Sequence, residues 1–286
     1  MNDKIFISSN AFETKNFIEI LDICLKEKFY NIELSSGINY SSDINNIINN
    51  LPPSMIFLIH NYFPPEKNSL VLNLASDSND IRTKSIAFCK KSIDLCVKIK
   101  SPIYSVHSGF CNDPEPEQLG NLQTMLSCFD KEKAIKNFYE SLEELEKYAS
   151  ANDIILCIEN NVIEKRNMPS GKNCTDLMTS FDDFHSFMKE KHLDNIKFLI
   201  DLGHLNVSAK TENFDKDEFL DLVASRTSII HISDNNEELD QHKPFNTNSW
   251  CFKSISKFKD AYKVIEISNQ SIKNINFCYE SINSII

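Results

Sequence analysis

The stretch F-L-I-D-L-G-H-L-N, residues 198–206, is the most informative part of this chain. Its apolar residues stop abruptly at Asp201, and His204 follows three residues later. A short apolar run that ends at a carboxylate is typical of a buried parallel strand, which would place Asp201 at its carboxyl end. Aspartate and histidine are both ligands for divalent metals. The stretch therefore predicts a buried strand that ends at a candidate metal ligand.

The same arrangement recurs because strand-like and helix-like segments alternate along the chain. Strand-like runs cover residues 4–8, 31–35, 55–60, 103–107, 154–159, 197–201, 228–233 and 261–266. Helical spacing of apolar residues covers residues 11–29, 42–51, 79–100, 131–149, 181–192, 216–224 and 272–285. Eight strands that alternate with helices predict a parallel sheet, and the number eight favours a closed (β/α)₈ TIM barrel, with residues 1–286 as a single domain.

The lengths of the connections support a barrel independently. Links from a helix to the next strand have only a few residues. Links from strand to helix after the third, fourth, fifth and seventh strands have roughly 15–20 residues, which is well above the usual loop length. In a (β/α)₈ barrel the strand-to-helix loops build the active face. We therefore expect the functional site at the carboxyl ends of the strands.

Composition and charge exclude some classes of function. The chain has 286 residues, of which 41% are hydrophobic and 25% charged, as in ordinary soluble globular proteins. It has 41 acidic residues against 30 lysines and arginines, a net charge of −11, and its only arginines are Arg82, Arg166 and Arg226. Binding to nucleic acids and to anionic membranes draws on basic surfaces, so neither partner is expected.

Cysteine usage and the first residues indicate the compartment. Nine cysteines are scattered singly without a C-x-x-C pair, which favours reduced thiols over a disulfide framework or a thiolate zinc site. The N-terminus lacks the charged-then-apolar pattern of a signal peptide, and no apolar stretch has the length that spans a bilayer. We expect a cytoplasmic protein, and a homo-oligomer is compatible with the sequence.

Residues of metal-ligating types stand at the strand ends or just beyond them. They are His60, His107, Glu159, Asp201, His204, His231, Asp240, His242 and Glu266. The carboxyl ends of barrel strands surround one bowl, so these side chains should converge. A hydrogen-bonded structural role explains one such histidine, but burying four carboxylates together without a cation would cost on the order of several kcal/mol per charge. A metal centre is the simpler explanation.

The motifs around these residues resemble a known superfamily. They read H-N-Y (60–62), H-S-G (107–109), I-E-N-N (158–161), D-L-G-H-L-N (201–206), H-I-S-D-N (231–235), D-Q-H-K-P (240–244) and I-E-I (265–267). As a set they are similar to the xylose-isomerase-like TIM barrels. That superfamily includes sugar and sugar-phosphate isomerases and epimerases, inosose dehydratases, and apurinic endonucleases of the endonuclease IV type. The resemblance runs from His60 to Glu266 and specifies the superfamily better than the reaction.

The resemblance implies metal ligands residue by residue. The four ligands of the single divalent metal in ketose epimerases match Glu159, Asp201, His231 and Glu266. In the endonuclease branch these four hold one of three zincs, a second zinc site matches His60, His107 and Glu159, and the third matches His204, Asp240 and His242. We therefore expect one ion of manganese, zinc, cobalt or magnesium, with up to three ions as the alternative.

These observations predict a metal-dependent isomerase or epimerase that acts on a sugar or sugar phosphate. A divalent ion would stabilise the enediolate that forms when a proton next to a carbonyl is removed. Glu159 and Glu266 are the candidates to remove and return this proton, and metal ligation without proton transfer explains the same pair almost as well. Candidates for substrate contacts are Glu33, Lys243 and Trp250.

Two other classes stay open. A multinuclear zinc phosphodiesterase or apurinic endonuclease would use adjacent metals to activate water and hold the phosphate. The acidic net charge and the few arginines speak against it. A non-catalytic sugar-binding protein is disfavoured, because nine ligand-type residues without a metal would be destabilising. The glycine-rich tail expected after D-x-H-x-P is replaced by F-N-T-N (245–248), so the resemblance does not define the substrate.

Overall fold

Eight parallel strands form a closed barrel in a computed structural model, which describes residues 4–68, 70–118, 128, 130–168 and 171–285. The strands pair in chain order, and the last pairs with the first. They are β1 (Ile5–Ser8), β2 (Asn31–Leu34), β3 (Ile56–His60), β4 (Ile103–His107), β5 (Ile155–Glu159), β6 (Lys197–Asp201), β7 (Thr227–Ile232) and β8 (Tyr262–Ile265). The predicted (β/α)₈ barrel is confirmed, and each strand lies within one residue of its predicted ends.

Helices surround the barrel. They are α1 (Phe17–Glu27), α2 (Ile44–Asn49), α3 (Asn79–Ile99), α4 (Lys131–Ser150), α5 (Phe181–Phe187), α6 (Leu202–Glu212), α7 (Lys216–Val223), α8 (Trp250–Ser254) and α9 (Ile272–Asn283). Within the described ranges, none of them combines the length and the apolarity that crossing a lipid bilayer requires.

Two predicted helix boundaries are wrong for local reasons. The helix predicted over residues 11–29 begins only at Phe17, because the side chain of Asn16 accepts hydrogen bonds from the N–H groups of Ile18 and Glu19 and so caps the first turn. The helix predicted over residues 181–192 ends at Phe187, and a short 3₁₀ turn at Lys191–Leu193 follows. Apolar spacing therefore located both helices, while capping set their ends.

Helices α6 and α8 were not predicted, because neither has a periodic pattern of apolar residues. Every residue from 202 to 209 in α6 is buried, so this helix has no polar face and no helical periodicity of apolar residues. Helix α8 has only five residues, which is too short for a periodic pattern. Helix α6 matters most here, because it begins directly after Asp201 and carries His204.

Alternation along the strands separates the barrel interior from the surrounding shell, since successive side chains of a strand point to opposite faces. One parity forms a small apolar cluster of Phe6, Leu58, Ile103, Cys157, Leu199, Ile229 and Val264, each at most 2% exposed. The other parity packs beneath the helices in the larger hydrophobic core, where Ile200, Ile230 and Ile265 are examples. The small cluster is the interior filling of the barrel.

Two residues further along each of the seven strands that supply this cluster, the same parity places a polar side chain at or near the carboxyl end. These residues are Ser8, His60, Ser105, Glu159, Asp201, His231 and Glu266. Strand register sets their height, since His107 pairs with Glu159 and Asp201 pairs with His231. The barrel therefore presents its candidate ligands as one layer that rests on an apolar layer.

The apolar filling of the barrel interior gives the first prediction. Leu199→Ala should lower the free energy of unfolding by about 2–5 kcal/mol, because the cavity left inside a closed barrel cannot collapse fully. Chemical denaturation followed by circular dichroism measures the change. Val97→Ala on α3 is the control: its side chain is 47% exposed, so a change within about 0.5 kcal/mol is expected. Equal effects of the two substitutions would contradict the assignment of Leu199 to a packed interior.

Candidate metal centre

Asp201 joins β6 to α6 without an intervening loop. One carboxylate oxygen, Oδ1, accepts the backbone N–H of His204 at 2.8 Å and caps the helix. The other oxygen, Oδ2, is buried and has no hydrogen-bond partner. Gly203 lets this turn approach the end of β7, because a Cβ at Gly203 would meet Ser233 Oγ at 2.5 Å. The motif D-L-G-H thus fixes one oxygen of Asp201 and leaves the other directed into the barrel mouth.

Four buried side chains bring their ligand atoms together there. One atom from each lies within 4.8 Å of the other three in the group Glu159, Asp201, His231 and Glu266. Nδ1 of His231 lies 2.8 Å from Glu266 Oε2, 3.5 Å from Glu159 Oε1 and 3.9 Å from Asp201 Oδ2. We call these residues the four-residue group.

The four-residue group has the donor atoms that a divalent ion needs. Its buried atoms without a hydrogen-bond partner are both carboxylate oxygens of Glu159, Asp201 Oδ2, His231 Nδ1 and Glu266 Oε2. Buried polar atoms in proteins are ordinarily hydrogen-bonded, so several that converge on one point indicate a missing ligand. Carboxylate oxygens with one imidazole nitrogen suit zinc, manganese, cobalt or magnesium. The residues present therefore fit a divalent metal ion.

Two further groups of three residues flank it. The first is His60, His107 and Glu159, in which Glu159 Oε2 lies 3.3 Å from His60 Nε2 and 3.0 Å from His107 Nδ1. The second is His204, Asp240 and His242, in which Asp240 Oδ2 lies 3.4 Å from His204 Nε2 and 2.9 Å from His242 Nε2. All nine residues predicted as ligands or additional contacts thus lie in one connected cluster, in the three groups that the resemblance implied.

Backbone carbonyls and one hydroxyl orient three of the histidines. Nδ1 of His204 lies 2.8 Å from the carbonyl oxygen of Asn160, and Nδ1 of His242 lies 3.0 Å from that of Glu266. A carbonyl can only accept, so both Nδ1 atoms carry a proton. Each Nε2 atom donates to Asp240 when its ring is protonated, and it offers a lone pair to a metal ion when the ring is neutral. Nδ1 of His60 similarly faces Ser105 Oγ at 3.1 Å. These contacts direct imidazole nitrogens toward carboxylates.

The charges in the cluster link the binding of protons to the binding of cations. Burial lowers the pKa of His231, but the carboxylates of Glu266 and Glu33 outweigh it and hold this pKa well above its usual value. Burial raises the pKa of Glu266 to about 7, although His231 opposes the shift. At His242 burial is outweighed by Asp240, which raises the histidine pKa to about 10. Protons on imidazoles and a divalent cation neutralise the same carboxylates, so metal binding should release protons.

A cavity of about 550 Å³ opens above the cluster. Its base is formed by His60, His107, His204, Asp240, His242 and Glu266. Its walls are mostly neutral and include Asn10, Ser35, Asn61, Tyr62, Leu72, Phe110 and Asn161. Glu159, Asp201 and His231 are not among the described residues that line it. The cavity therefore meets the four-residue group through Glu266.

The three predicted substrate contacts lie away from this cavity. Lys243 exchanges backbone hydrogen bonds with Asp234. Trp250 is the first residue of α8, and the ammonium of Lys216 lies 4.5 Å from the centroid of its ring. Neither residue is among those that line the cavity. Glu33 is fully buried, with its carboxylate 3.0 Å from His231 Nε2. Their positions give no support to direct substrate contact.

Sequence reasoning missed several residues that support the candidate ligands through hydrogen bonds. The side-chain amide of Asn160 donates to the carbonyl of Asp201 at 3.0 Å and accepts its N–H at 2.7 Å. Glu164 Oε1 accepts the N–H of Asp240 at 2.9 Å and so ties two loops together. Strand alternation could have identified Ser105, two residues before His107. No spacing rule identifies Glu164, because its partner is 76 residues away.

Sequence similarity to known proteins extends over most of the chain. The family model described as xylose isomerase-like TIM barrel matches residues 49–278. An uncharacterised protein of Methanocaldococcus jannaschii is 26% identical over 224 residues, which cover 75% of this chain and 74% of that protein.

Solved structures share the fold at low sequence identity. A D-tagatose 3-epimerase-like protein has a TM-score of 0.71 and 16% identity, with 98% of both chains covered. D-psicose 3-epimerase of Clostridium cellulolyticum has a TM-score of 0.60 and 15% identity, with 99% of this chain and 92% of the other covered. Since the family model extends over most of the barrel and all of the candidate ligands, this chain belongs to the xylose isomerase-like TIM barrel family.

Proposed function

We propose that this protein is a divalent-metal-dependent isomerase or epimerase of a sugar. The observation that carries the proposal is the convergence of unpartnered buried donor atoms from the four-residue group beneath a cavity of about 550 Å³. That volume suits a small molecule. Structures with this fold include sugar 3-epimerases. A bound ion would stabilise the negative charge that develops on a substrate oxygen when the neighbouring carbon loses its proton.

Glu266 is the residue of the four that can move this proton. It lines the cavity, whereas Glu159 is fully buried and does not. A base must reach the proton that it removes. We therefore assign Glu266 both metal ligation and proton transfer, and we assign Glu159 metal ligation alone. Isomerisation, in which a proton moves between neighbouring carbons on one face of the substrate, needs one such base. Epimerisation, which inverts a carbon, also needs a proton donor on the opposite face.

The cavity favours an unphosphorylated sugar. Arg166 is its single lysine or arginine within the described ranges, and its Nε already donates to Glu164. Phosphate recognition ordinarily uses several cationic donors or a helix N-terminus. In contrast, the neutral side chains of Asn10 and Asn61 line the cavity, and amide groups can hydrogen-bond sugar hydroxyls.

The role of Glu266 gives the second prediction. Glu266→Gln keeps a ligating oxygen and loses the base, so exchange of the carbon-bound proton of D-tagatose or D-psicose with heavy water should fall about 100-fold or more. Proton NMR of the manganese-loaded protein measures the exchange, and elemental analysis should show that the variant keeps its metal. Glu280→Gln on the exposed side of α9 is the matched control and should exchange at the wild-type rate. Wild-type exchange by Glu266→Gln would show that Glu266 is only a ligand.

The neutral walls give the third prediction. The ratio kcat/KM should be at least about 10-fold higher for a free ketose than for its 6-phosphate, since one unmatched phosphate corresponds to about 1.4 kcal/mol or more. Exchange kinetics on D-fructose and D-fructose 6-phosphate, measured at equal ionic strength, make the comparison. A preference for the phosphate would overturn the assignment to free sugars.

One observation favours a second candidate function. The two groups of three residues offer sites for further ions on either side of the four-residue group, and a cluster of two or three metals suits hydrolysis of a phosphate diester. The acidic net charge and the single arginine in the cavity oppose a polynucleotide substrate. The second candidate is therefore a multinuclear zinc phosphodiesterase.

His242 separates the two candidates and gives the fourth prediction. In a one-metal isomerase, His242→Ala should leave metal content unchanged and raise KM, because His242 lines the cavity outside the four-residue group. In a multinuclear hydrolase the variant should lose one ion per chain. Elemental analysis of both proteins decides between these outcomes. Cleavage of duplex DNA with an abasic site, abolished by a chelator, would promote the hydrolase.

A further inference from the structure

Glu33 is a buried carboxylate that has no role in the proposed reaction. It is fully buried near the carboxyl end of β2, where it pairs in register with Ser8 of β1. Its two carboxylate oxygens lie 3.0 and 3.2 Å from Nε2 of His231. A buried carboxylate requires a partner, and His231 is the only ring nitrogen this close to Glu33 within the described ranges.

The contact crosses the barrel. His231 lies on β7, and two strands, β8 and β1, separate β7 from β2 around the closed sheet. The two residues are 198 positions apart in sequence. They meet because Glu33 and His231 both point into the interior, directly above the apolar cluster, where the opposite sides of an eight-stranded barrel come within side-chain reach. No local turn or cap explains the pair.

The two nitrogens of His231 have different surroundings. Among the described residues, the hydrogen-bond partner of Nε2 is the Glu33 carboxylate, while Nδ1 faces Glu266, Glu159 and Asp201 in the four-residue group. A carboxylate accepts, so it favours a proton on Nε2, and the neutral ring then has its lone pair on Nδ1. That lone pair points at the atoms that also lack partners.

We propose that Glu33 is a positioning residue of the metal site: by accepting the Nε2–H of His231 it fixes the ring and directs the Nδ1 lone pair at the ion. The inference rests on the proposed metal site and extends it to a residue that touches neither ion nor substrate. Carboxylates that hold ligating histidines in this way typically contribute about 10- to 100-fold to metal affinity.

A different role for Glu33 follows from the same neighbourhood and must be separated from this one. Ligand atoms of Glu33, His60 and His231 also lie within 4.8 Å of one another, so the three could hold an ion of their own. That arrangement would need Nε2 of His231 as the ligand. It predicts loss of an ion from a Glu33 variant, whereas positioning predicts weaker binding of an ion that is still present at saturation.

The fifth prediction tests positioning with Glu33→Gln in the full-length chain. The amide keeps an acceptor oxygen but loses the charge, so Co²⁺ should bind about 10- to 100-fold more weakly in competition with a chromophoric chelator, at unchanged stoichiometry. The visible spectrum of bound Co²⁺ should shift, because the geometry at His231 changes. Glu280→Gln is the matched control: it makes the same change on the exposed side of α9, away from His231, so Co²⁺ affinity should stay at the wild-type value.

Each outcome decides the question. Weaker binding with a shifted spectrum, in a variant whose chelator-treated form melts like the chelator-treated wild type, supports positioning. Wild-type affinity and spectrum would overturn it, and loss of one ion per chain would make Glu33 a ligand instead. If Glu33→Gln does not fold, Glu33→Asp keeps the charge with a shorter reach and should bind Co²⁺ with reduced affinity. Absence of Co²⁺ binding by the wild type would refute the proposed metal site itself.

Discussion

Repulsion among buried carboxylates is the constraint on which the upper half of this barrel depends. Glu33, Glu159, Asp201 and Glu266 are each at most 8% exposed, and all four lie within 4 Å of one imidazole, that of His231. Charges buried so close together would cost on the order of several kcal/mol each if nothing compensated them. Histidines interleaved between carboxylates provide the compensation, and the same nitrogens are available as metal ligands. The same atoms thus serve both folding and metal binding.

The barrel interior has two layers with different roles. Its middle layer is apolar and packed, which holds the strands in register and keeps the surroundings of the carboxylates low in dielectric constant. Its upper layer is polar and supplied by strand ends, whose backbone positions the sheet fixes. Asp240 and His242 come instead from the loop after β7, and their side chains are more exposed than those of the four-residue group. The four-residue group is therefore the rigid part of the cluster, and the group with Asp240 is the adaptable part.

Strand alternation explains why so much of this arrangement could be predicted from sequence. The strand that ends at Asp201 and its seven counterparts have short apolar runs bounded by polar residues, so their ends were recognisable, and a closed barrel then requires those ends to meet. Helix α6 escaped because burial on all sides removes periodicity. Glu33 was predicted as a substrate contact because one sequence position does not reveal what stands across the barrel. Long-range partners such as His231 become visible only when the sheet is closed.

Asn160 holds two candidate ligands together beyond the end of the β5–β6 ladder. The amide of Asn160 pairs with both backbone groups of Asp201 and so imitates one more rung of the β5–β6 ladder, directly after Glu159. The sheet is thereby extended by a side chain past the point where the two backbones separate. Glu159 and Asp201 are thus held at a fixed spacing by hydrogen bonds that do not depend on the loop after residue 160.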